Sequence, residues 1–122
     1  MAIVKATTAS ARIMEEVCAW PGVSAGFGSR GELAFKLGHR EIGHLHGDHA
    51  AHYFFPKSDW TALKDQGRIV PHPVFPDRQG PAARKIENDA DVSDAIELMR
   101  LNYERIVARH GLPAEAPAAG VA

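Results

Sequence analysis

The chain has 122 residues with 45% hydrophobic and 24% charged side chains, which is typical of one globular domain and excludes a disordered chain, a collagen and a coiled coil. Its 14 basic and 15 acidic residues give a formal charge of −1, so there is no basic excess and no nucleic-acid partner is expected. A single cysteine rules out an internal disulfide, and with neither a bilayer-spanning apolar run nor a signal-peptide core we expect a soluble cytoplasmic protein with no membrane partner.

The distribution of apolar residues predicts one domain with two flexible ends. Residues 1–7 are expected to be a flexible N-terminus, 8–111 a single domain and 112–122 a flexible tail, because the tail carries no large apolar periodicity.

The first predicted element is a helix over residues 8–19. The apolar residues that follow the spacing of one helical face are Ile13, Met14, Val17 and Cys18. This spacing places the Cys18 thiol on the buried stripe, where it is expected to be inert. Pro21 ends the helix because a proline disfavours the α conformation of the residue before it.

The centre of the chain predicts an antiparallel β-meander. Strands are expected at residues 23–27, 32–37, 41–46 and 49–55. In the second of these, Leu33, Phe35 and Leu37 alternate with polar residues, which is the period of a half-buried strand. The Gly47-Asp48 pair between the last two strands is a hairpin signal, since glycine supplies the positive φ of a tight turn.

A short helix and a proline-rich segment follow the meander. Ser58 is the predicted N-cap of a helix that carries Trp60 and Leu63, and Gly67 is its predicted end. Residues 69–76 contain three prolines, each without the N–H that a sheet ladder needs, so we expect an edge segment or an extended loop there.

The last predicted elements are a strand at residues 82–87 and a helix of about 20 residues, capped by Asn88 or Asp89 and ended by Gly111. The apolar stripe of this helix consists of Val92, Ala95, Ile96, Met99, Tyr103, Ile106 and Val107. The predicted fold is therefore α+β, with an antiparallel β-meander packed against a long C-terminal helix and two shorter helices.

Seven histidines are the unusual feature of the composition, and five of them lie between residues 39 and 52. Side chains two residues apart on a strand share a face, so His44 and His46 are expected to project together with Ile42. A two-residue turn would pair His46 with His49, whereas a turn that includes His49 would pair His44 with His52. Either register brings three imidazoles to one face of the sheet.

Three kinds of role are open for these histidines. Neutral imidazoles suit Zn, Cu, Fe and Ni, and His72 in the proline-rich segment is a candidate further ligand. An imidazole with the ordinary pKa of ~6.5 can alternatively transfer a proton or donate a hydrogen bond to an oxyanion. The third alternative is structural, with half-exposed rings bonded to backbone carbonyls.

The most specific motif of the sequence is Gly-His-Leu-His-Gly-Asp at residues 43–48, followed later by Pro71-His72. The strings that carry the wider resemblance lie at residues 20–23, 37–48, 55–57, 67–72 and 95–105. Together they resemble a family of small bacterial luciferase-like domains, named for their similarity to the luciferases of luminous fungi. The resemblance covers residues 17–109.

The resemblance implies a small-molecule pocket. Fungal luciferases add dioxygen to a hydroxylated pyrone, 3-hydroxyhispidin, without a bound organic cofactor. By position, the resemblance implies that His44, His46 and His72 are catalytic and that Asp48 and Lys57 bind substrate at the rim of the pocket.

Cofactor-free oxygenation requires a base that deprotonates an acidic enol and an apolar, water-poor cavity. The candidate walls of that cavity are Phe35, Tyr53, Phe54, Phe55 and Trp60, and of these Tyr53 and Trp60 are the predicted substrate-binding residues. This sequence shows neither the membrane-associated N-terminal extension of the fungal proteins nor an aromatic residue at 81–84, so we expect a shared pocket rather than light emission.

We therefore expect a luciferase-like domain that binds a small-molecule substrate. The leading hypothesis for its function is a cofactor-independent oxygenase that acts on a polyketide-like enol or pyrone. No cofactor is expected, and a divalent metal ion held by His44, His46 and His72 is the alternative. The alternative function is a non-catalytic metal- or ligand-binding module, and a second is an interaction domain in which the histidines are incidental. The sequence leaves the oligomeric state open.

Overall fold

The computed structural model describes residues 8–113, which contain three helices and six strands. In chain order these are α1 (Ala9–Val17), β1 (Val23–Phe27), β2 (Leu33–Leu37), β3 (Arg40–His46), β4 (Ala50–Phe54), α2 (Lys57–Asp65), β5 (Val70–Pro71), β6 (Pro81–Lys85) and α3 (Asp89–His110). Every strand pair among them is antiparallel, so the predicted α+β class is confirmed. The flexible ends predicted at 1–7 and over most of 112–122 lie outside the described residues.

The six strands form one sheet in the order β1-β2-β3-β4-β6-β5. The first four strands are the predicted meander, because each pairs with the next one in the chain. The chain then leaves the sheet through α2, returns at the far edge as β5, and inserts β6 between β4 and β5. The predicted four-strand meander is therefore confirmed, and β6 and β5 extend the sheet beyond it. Pro71 suits the short edge strand β5 because it has no N–H to leave unpaired.

One hydrophobic core lies between the sheet and the helices. The buried residues of α3 are Val92, Ala95, Leu98, Met99, Asn102, Tyr103 and Ile106. The sequence pattern missed Leu98 and Asn102, and it included Ile96 and Val107, which are only partly buried. The buried stripe differs from the predicted one because α3 packs against both α1 and β3. None of the helices in the described part of the chain is both long and apolar enough to cross a membrane.

Two local predictions are wrong. Cys18 is exposed rather than buried, because α1 ends before it and buries only Ile13 and Val17 of the predicted stripe. Ser58 does not cap α2, since Pro56 occupies the N-cap position and Ser58 is already inside the helix.

The other predicted helix ends are confirmed. Asn88 caps α3, and its side-chain oxygen accepts a hydrogen bond from the backbone N–H of Asp91 at 2.9 Å. Gly67 directly follows Gln66, the C-cap residue of α2. Its φ of 76° is a left-handed conformation that a glycine adopts without strain.

A β-bulge interrupts β3. On the neighbouring strand β2, Phe35 pairs with Gly43. The next residue, Lys36, pairs with Glu41, which makes Ile42 the extra residue of the bulge. Ile42 is fully buried in the core, so it does not share the face of the strand histidines, and this corrects the sequence prediction.

The face of the sheet opposite the helices is open to solvent. The exposed side chains along it include Ser24, Lys36, Glu41, His46, Phe54 and Lys85. At the centre of this open face, the cross-strand pairs bring Ala34, His44, His52 and Ala83 into one row. The two rings are thus flanked by alanines in this row.

Candidate functional site

Four imidazoles lie together on the open face, and we term them the histidine cluster: His44, His46, His52 and His72. His44 and His52 are direct cross-strand partners, and their ring centroids are 5.2 Å apart. The ring of His52 lies 4.5 Å from that of His46 and 4.2 Å from that of His72. The register is the one produced by a turn that includes His49, so the pairing of a two-residue turn is wrong.

His72 reaches the cluster from the end of β5. Its backbone N–H donates to the carbonyl oxygen of Pro81 at 3.3 Å. Its ring nitrogen Nδ1 accepts the backbone N–H of Val74 at 3.1 Å. Because an accepting nitrogen carries no proton, the neutral ring of His72 has its proton on Nε2.

A chain of hydrogen bonds links Glu41, His44 and His46. Nδ1 of His44 lies 2.7 Å from Oε2 of Glu41, and Nε2 of His44 lies 3.1 Å from Nε2 of His46. The Glu41 carboxylate only accepts, so Nδ1 of His44 is assigned as the donor. A neutral His44 then presents the lone pair of Nε2 to His46, which can donate a proton to it or share an ion with it.

The protonation state of His52 is determined mainly by its burial. Burial of the ring lowers the pKa of His52 from 6.5 to about 4, and repulsion from the charge that His72, His46 and His44 carry when protonated contributes to this shift. Burial also lowers the pKa of His72. Both rings are therefore neutral at pH 7, which keeps their lone pairs available. Nδ1 of His52 is buried and has no hydrogen-bond partner among the described residues.

Ring nitrogens of three histidines in the cluster lie close to one another. One ring nitrogen from each of His44, His46 and His52 lies within 4.8 Å of the others. Such a set can hold one metal ion, or it can accept and return protons.

A cavity of about 370 Å³ adjoins His52. Its apolar lining is formed by Val70, Pro73, Ala83 and Ile86, and charged side chains such as Lys85 complete it. This volume falls within the range of small-molecule sites, roughly 300–1,000 Å³.

The two predicted rim residues lie elsewhere. The carboxylate of Asp48 accepts the backbone N–H of Ser10 at 2.8 Å, and this hydrogen bond lowers the pKa of Asp48. Asp48 lines a separate cavity of about 460 Å³ near Arg12. Lys57 is exposed at the start of α2, where it lines a hollow that does not include the cluster.

The two predicted aromatic walls belong to the hydrophobic core. The hydroxyl of Tyr53 donates to the carbonyl oxygen of Ala95 at 2.9 Å. The indole N–H of Trp60 donates to the carbonyl oxygen of Pro81 at 3.0 Å. Both rings are almost fully buried, so the structure groups neither with the histidine cluster.

Sequence reasoning selected neither Glu41 nor His52 as a site residue, although Glu41 and Asp48 are the carboxylates nearest to the histidines in the sequence. His52 was visible in the longer-turn register, which pairs it with His44. Glu41 had no such signal, because a regular strand would point it away from His44.

Comparison with known protein families gives a match over the central part of the chain. The model of the family described as Luciferase domain matches residues 39–102, which contain all four histidines of the cluster. No curated protein and no solved structure matches the chain significantly.

Proposed function

The chain belongs to the Luciferase domain family, and from this membership we propose that it binds a small acidic enol of the hydroxypyrone class on its open face and adds dioxygen to it. The observation that carries the proposal is the histidine cluster, in which four imidazoles lie together and one of them, His52, lines a cavity of about 370 Å³. An imidazole that accepts a proton and an adjoining apolar hollow are the two features that this reaction requires, a base and a water-poor site.

The proposed base is His46, whose side chain is exposed and accessible to a substrate. Its Nε2 donates to Nε2 of His44, which leaves the lone pair on Nδ1 of His46 free to take the enol proton. The positive charge that then forms on His46 is stabilised through His44 by the carboxylate of Glu41. The roles of His44 and Glu41 are therefore to orient the base and to balance its charge.

The reaction is balanced without another oxidant or reductant. Loss of the proton converts the enol to an electron-rich enolate. The enolate supplies the electrons for a new carbon–oxygen bond to dioxygen, which is reduced to the level of a peroxide. His46 returns its proton to the terminal peroxide oxygen, and the product is an organic hydroperoxide that contains all atoms of the enol and of dioxygen.

The cavity provides the surroundings that this intermediate requires. Val70 and Pro73 form an apolar wall near His52, and exclusion of water there protects the enolate and the peroxide from side reactions. Lys85 lines the same cavity and offers a positive charge to the oxygen of an anionic substrate.

The test is oxygen uptake by the full chain with a panel of hydroxypyrones in the presence of EDTA. Uptake is expected to exceed the rate in buffer, and His46→Gln is expected to lower the protein-dependent rate by about 10²-fold or more, the usual contribution of a general base. His44→Ala should have a similar effect, since it disconnects His46 from Glu41.

The matched control is His39→Gln, which alters an exposed histidine in the turn between β2 and β3. This variant should keep the wild-type rate. Equal uptake with and without protein across the panel would reject the substrate class, and an undiminished rate in His46→Gln would reject the base.

A further inference from the structure

We infer that the histidine cluster is a binding site for a divalent transition-metal ion of the zinc type, with His44, His46 and His52 as ligands. The inference goes beyond the proposed reaction and does not depend on it, because it concerns the binding of the ion alone.

The spacing of the ring nitrogens is the first argument. A tetrahedral ion with bonds of about 2.0–2.1 Å to nitrogen requires its ligand atoms to lie about 3.3 Å apart. Nε2 of His44 and Nε2 of His46 are 3.1 Å apart, close to this requirement. A ring nitrogen of His52 completes a group within 4.8 Å, so a small change in side-chain torsions brings all three to one ion.

Glu41 is the second argument. A histidine that ligates a metal commonly donates its other ring N–H to a carboxylate, which sets the tautomer and the ring orientation. Nδ1 of His44 is 2.7 Å from Oε2 of Glu41, and Nε2 of the same ring points its lone pair into the cluster. This carboxylate–histidine pair has the arrangement that supports a metal ligand.

The enclosed ring of His52 is the third argument. A buried polar atom without a hydrogen-bond partner is rare and requires an explanation, such as a bound ligand. Nδ1 of His52 is such an atom among the described residues. Its ring lies against three other imidazoles, and a bound cation would satisfy the lone pair of an unprotonated Nδ1.

His72 is not assigned as a ligand. Its Nδ1 accepts the N–H of Val74, and its ring packs against that of His52 at an angle of 57°, with centroids 4.2 Å apart. We therefore assign His72 the role of holding the His52 ring in position, and three protein ligands leave one coordination position open for a small molecule.

Binding of a metal ion by the cluster and the proposed action of His46 as a base are mutually exclusive. The ion uses the lone pairs of Nε2 on His44 and on His46, and the metal-free cluster uses these two atoms to share a proton. Zinc is therefore expected to inhibit oxygen uptake that depends on His46 as a base.

The test is isothermal titration calorimetry of Zn²⁺ into the full chain after removal of metals with EDTA, at pH 7.5 and without enol. One ion is expected to bind per chain. Affinity should fall at least 100-fold in His44→Ala and His52→Ala, and about 10–100-fold in Glu41→Gln, the usual effect of removing the carboxylate behind a ligating histidine. His46→Gln changes an exposed side chain, so it also tests the site if another variant does not fold.

Two further variants make the ligand assignment specific. His39→Ala should bind Zn²⁺ as the wild type does, and His72→Ala should retain the stoichiometry of one ion per chain. Absence of stoichiometric binding in the wild type, or unchanged affinity in folded His46→Gln and His52→Ala, would overturn the inference. Loss of binding in His72→Ala with binding retained in His52→Ala would overturn the ligand set. None of these results depends on the outcome of the oxygen-uptake experiment.

Discussion

Glu41 and His44 lie on the same face of β3 and are joined by a hydrogen bond of 2.7 Å, although they are three positions apart in the chain. In a regular strand such residues point to opposite faces. The extra residue of the bulge, Ile42, reverses the alternation between them and directs its own side chain into the core. The orientation of His44 therefore depends on the bulge.

The bulge is held from the core side by Asn102. The side-chain Nδ2 of Asn102 donates to the carbonyl oxygen of Ile42 at 3.0 Å and to that of Phe54 at 3.1 Å. Asn102→Ala leaves the buried carbonyl of Ile42 and the partly buried carbonyl of Phe54 without this donor, at a cost of ~1–3 kcal/mol each, so the free energy of unfolding should fall by about 2–6 kcal/mol in chemical denaturation. The exposed neighbour provides the control, since Leu101→Ala should change stability by only about 0.5 kcal/mol. Equal stability of the two variants would contradict the role of Asn102.

Gly43 allows α3 to approach the sheet closely. A Cβ atom at this position would lie 2.8 Å from Sδ of Met99 and 3.1 Å from the backbone oxygen of His52. Gly43→Ala should lower the free energy of unfolding by about 1–3 kcal/mol through overpacking, as measured by urea denaturation. The matched control is Gly26→Ala on β1, where an added Cβ meets nothing within 4 Å. Gly26→Ala is expected to retain wild-type stability, and a similar loss in both variants would show that close packing at Gly43 is not the cause.

The pH dependence of stability is expected to reflect His52. Its pKa is 6.5 in the unfolded reference and about 4 in the folded protein, lowered by burial and by the neighbouring His72, His46 and His44. Between these values the unfolded chain binds more protons than the folded chain, so stability decreases as the pH falls from 6.5 towards 4.

Urea denaturation at pH 7 and pH 5, with EDTA present, measures this effect. His52→Asn should lose less stability over this interval than the wild type. Asparagine does not titrate, so the unfolded chain no longer binds an extra proton at this position. His39→Asn should keep the wild-type dependence. The same loss in His52→Asn as in the wild type would assign the effect to other groups.

Tyr53 distinguishes a core role from a substrate role. Its hydroxyl donates to the carbonyl oxygen of Ala95 from the helix side of β4, away from the histidine cluster. Tyr53→Phe should lower the free energy of unfolding by about 1 kcal/mol, the net value of one hydrogen bond, and leave oxygen uptake and zinc affinity unchanged. Reduced uptake at unchanged stability would instead support the substrate contact predicted from the sequence.

Local pattern was sufficient where a strand or helix has one regular buried face. The alternation of Leu33, Phe35 and Leu37 predicted β2, and all three are buried. The spacing of Val92, Ala95 and Met99 predicted the core face of α3 in the same way. These predictions succeeded because the periods of strand and helix depend on the backbone alone.

The same reasoning was insufficient for the two short helices. Cys18 and Ser58 were assigned from spacing and residue type, but the end of α1 and the start of α2 depend on where each helix meets the core. Helix ends are the least regular part of the element, so periodicity carries little information there.

From residue order we could read the α+β class, the family resemblance and the concentration of histidines between 39 and 52. Only the tertiary structure places His52 at the centre of the cluster, Glu41 in hydrogen-bond contact with His44, and Tyr53 in the core. The physical reason is that these relationships arise from strand register and from one bulge residue stabilised by a distant helix. A shift of one residue in either would move the side chains to the other face of the sheet.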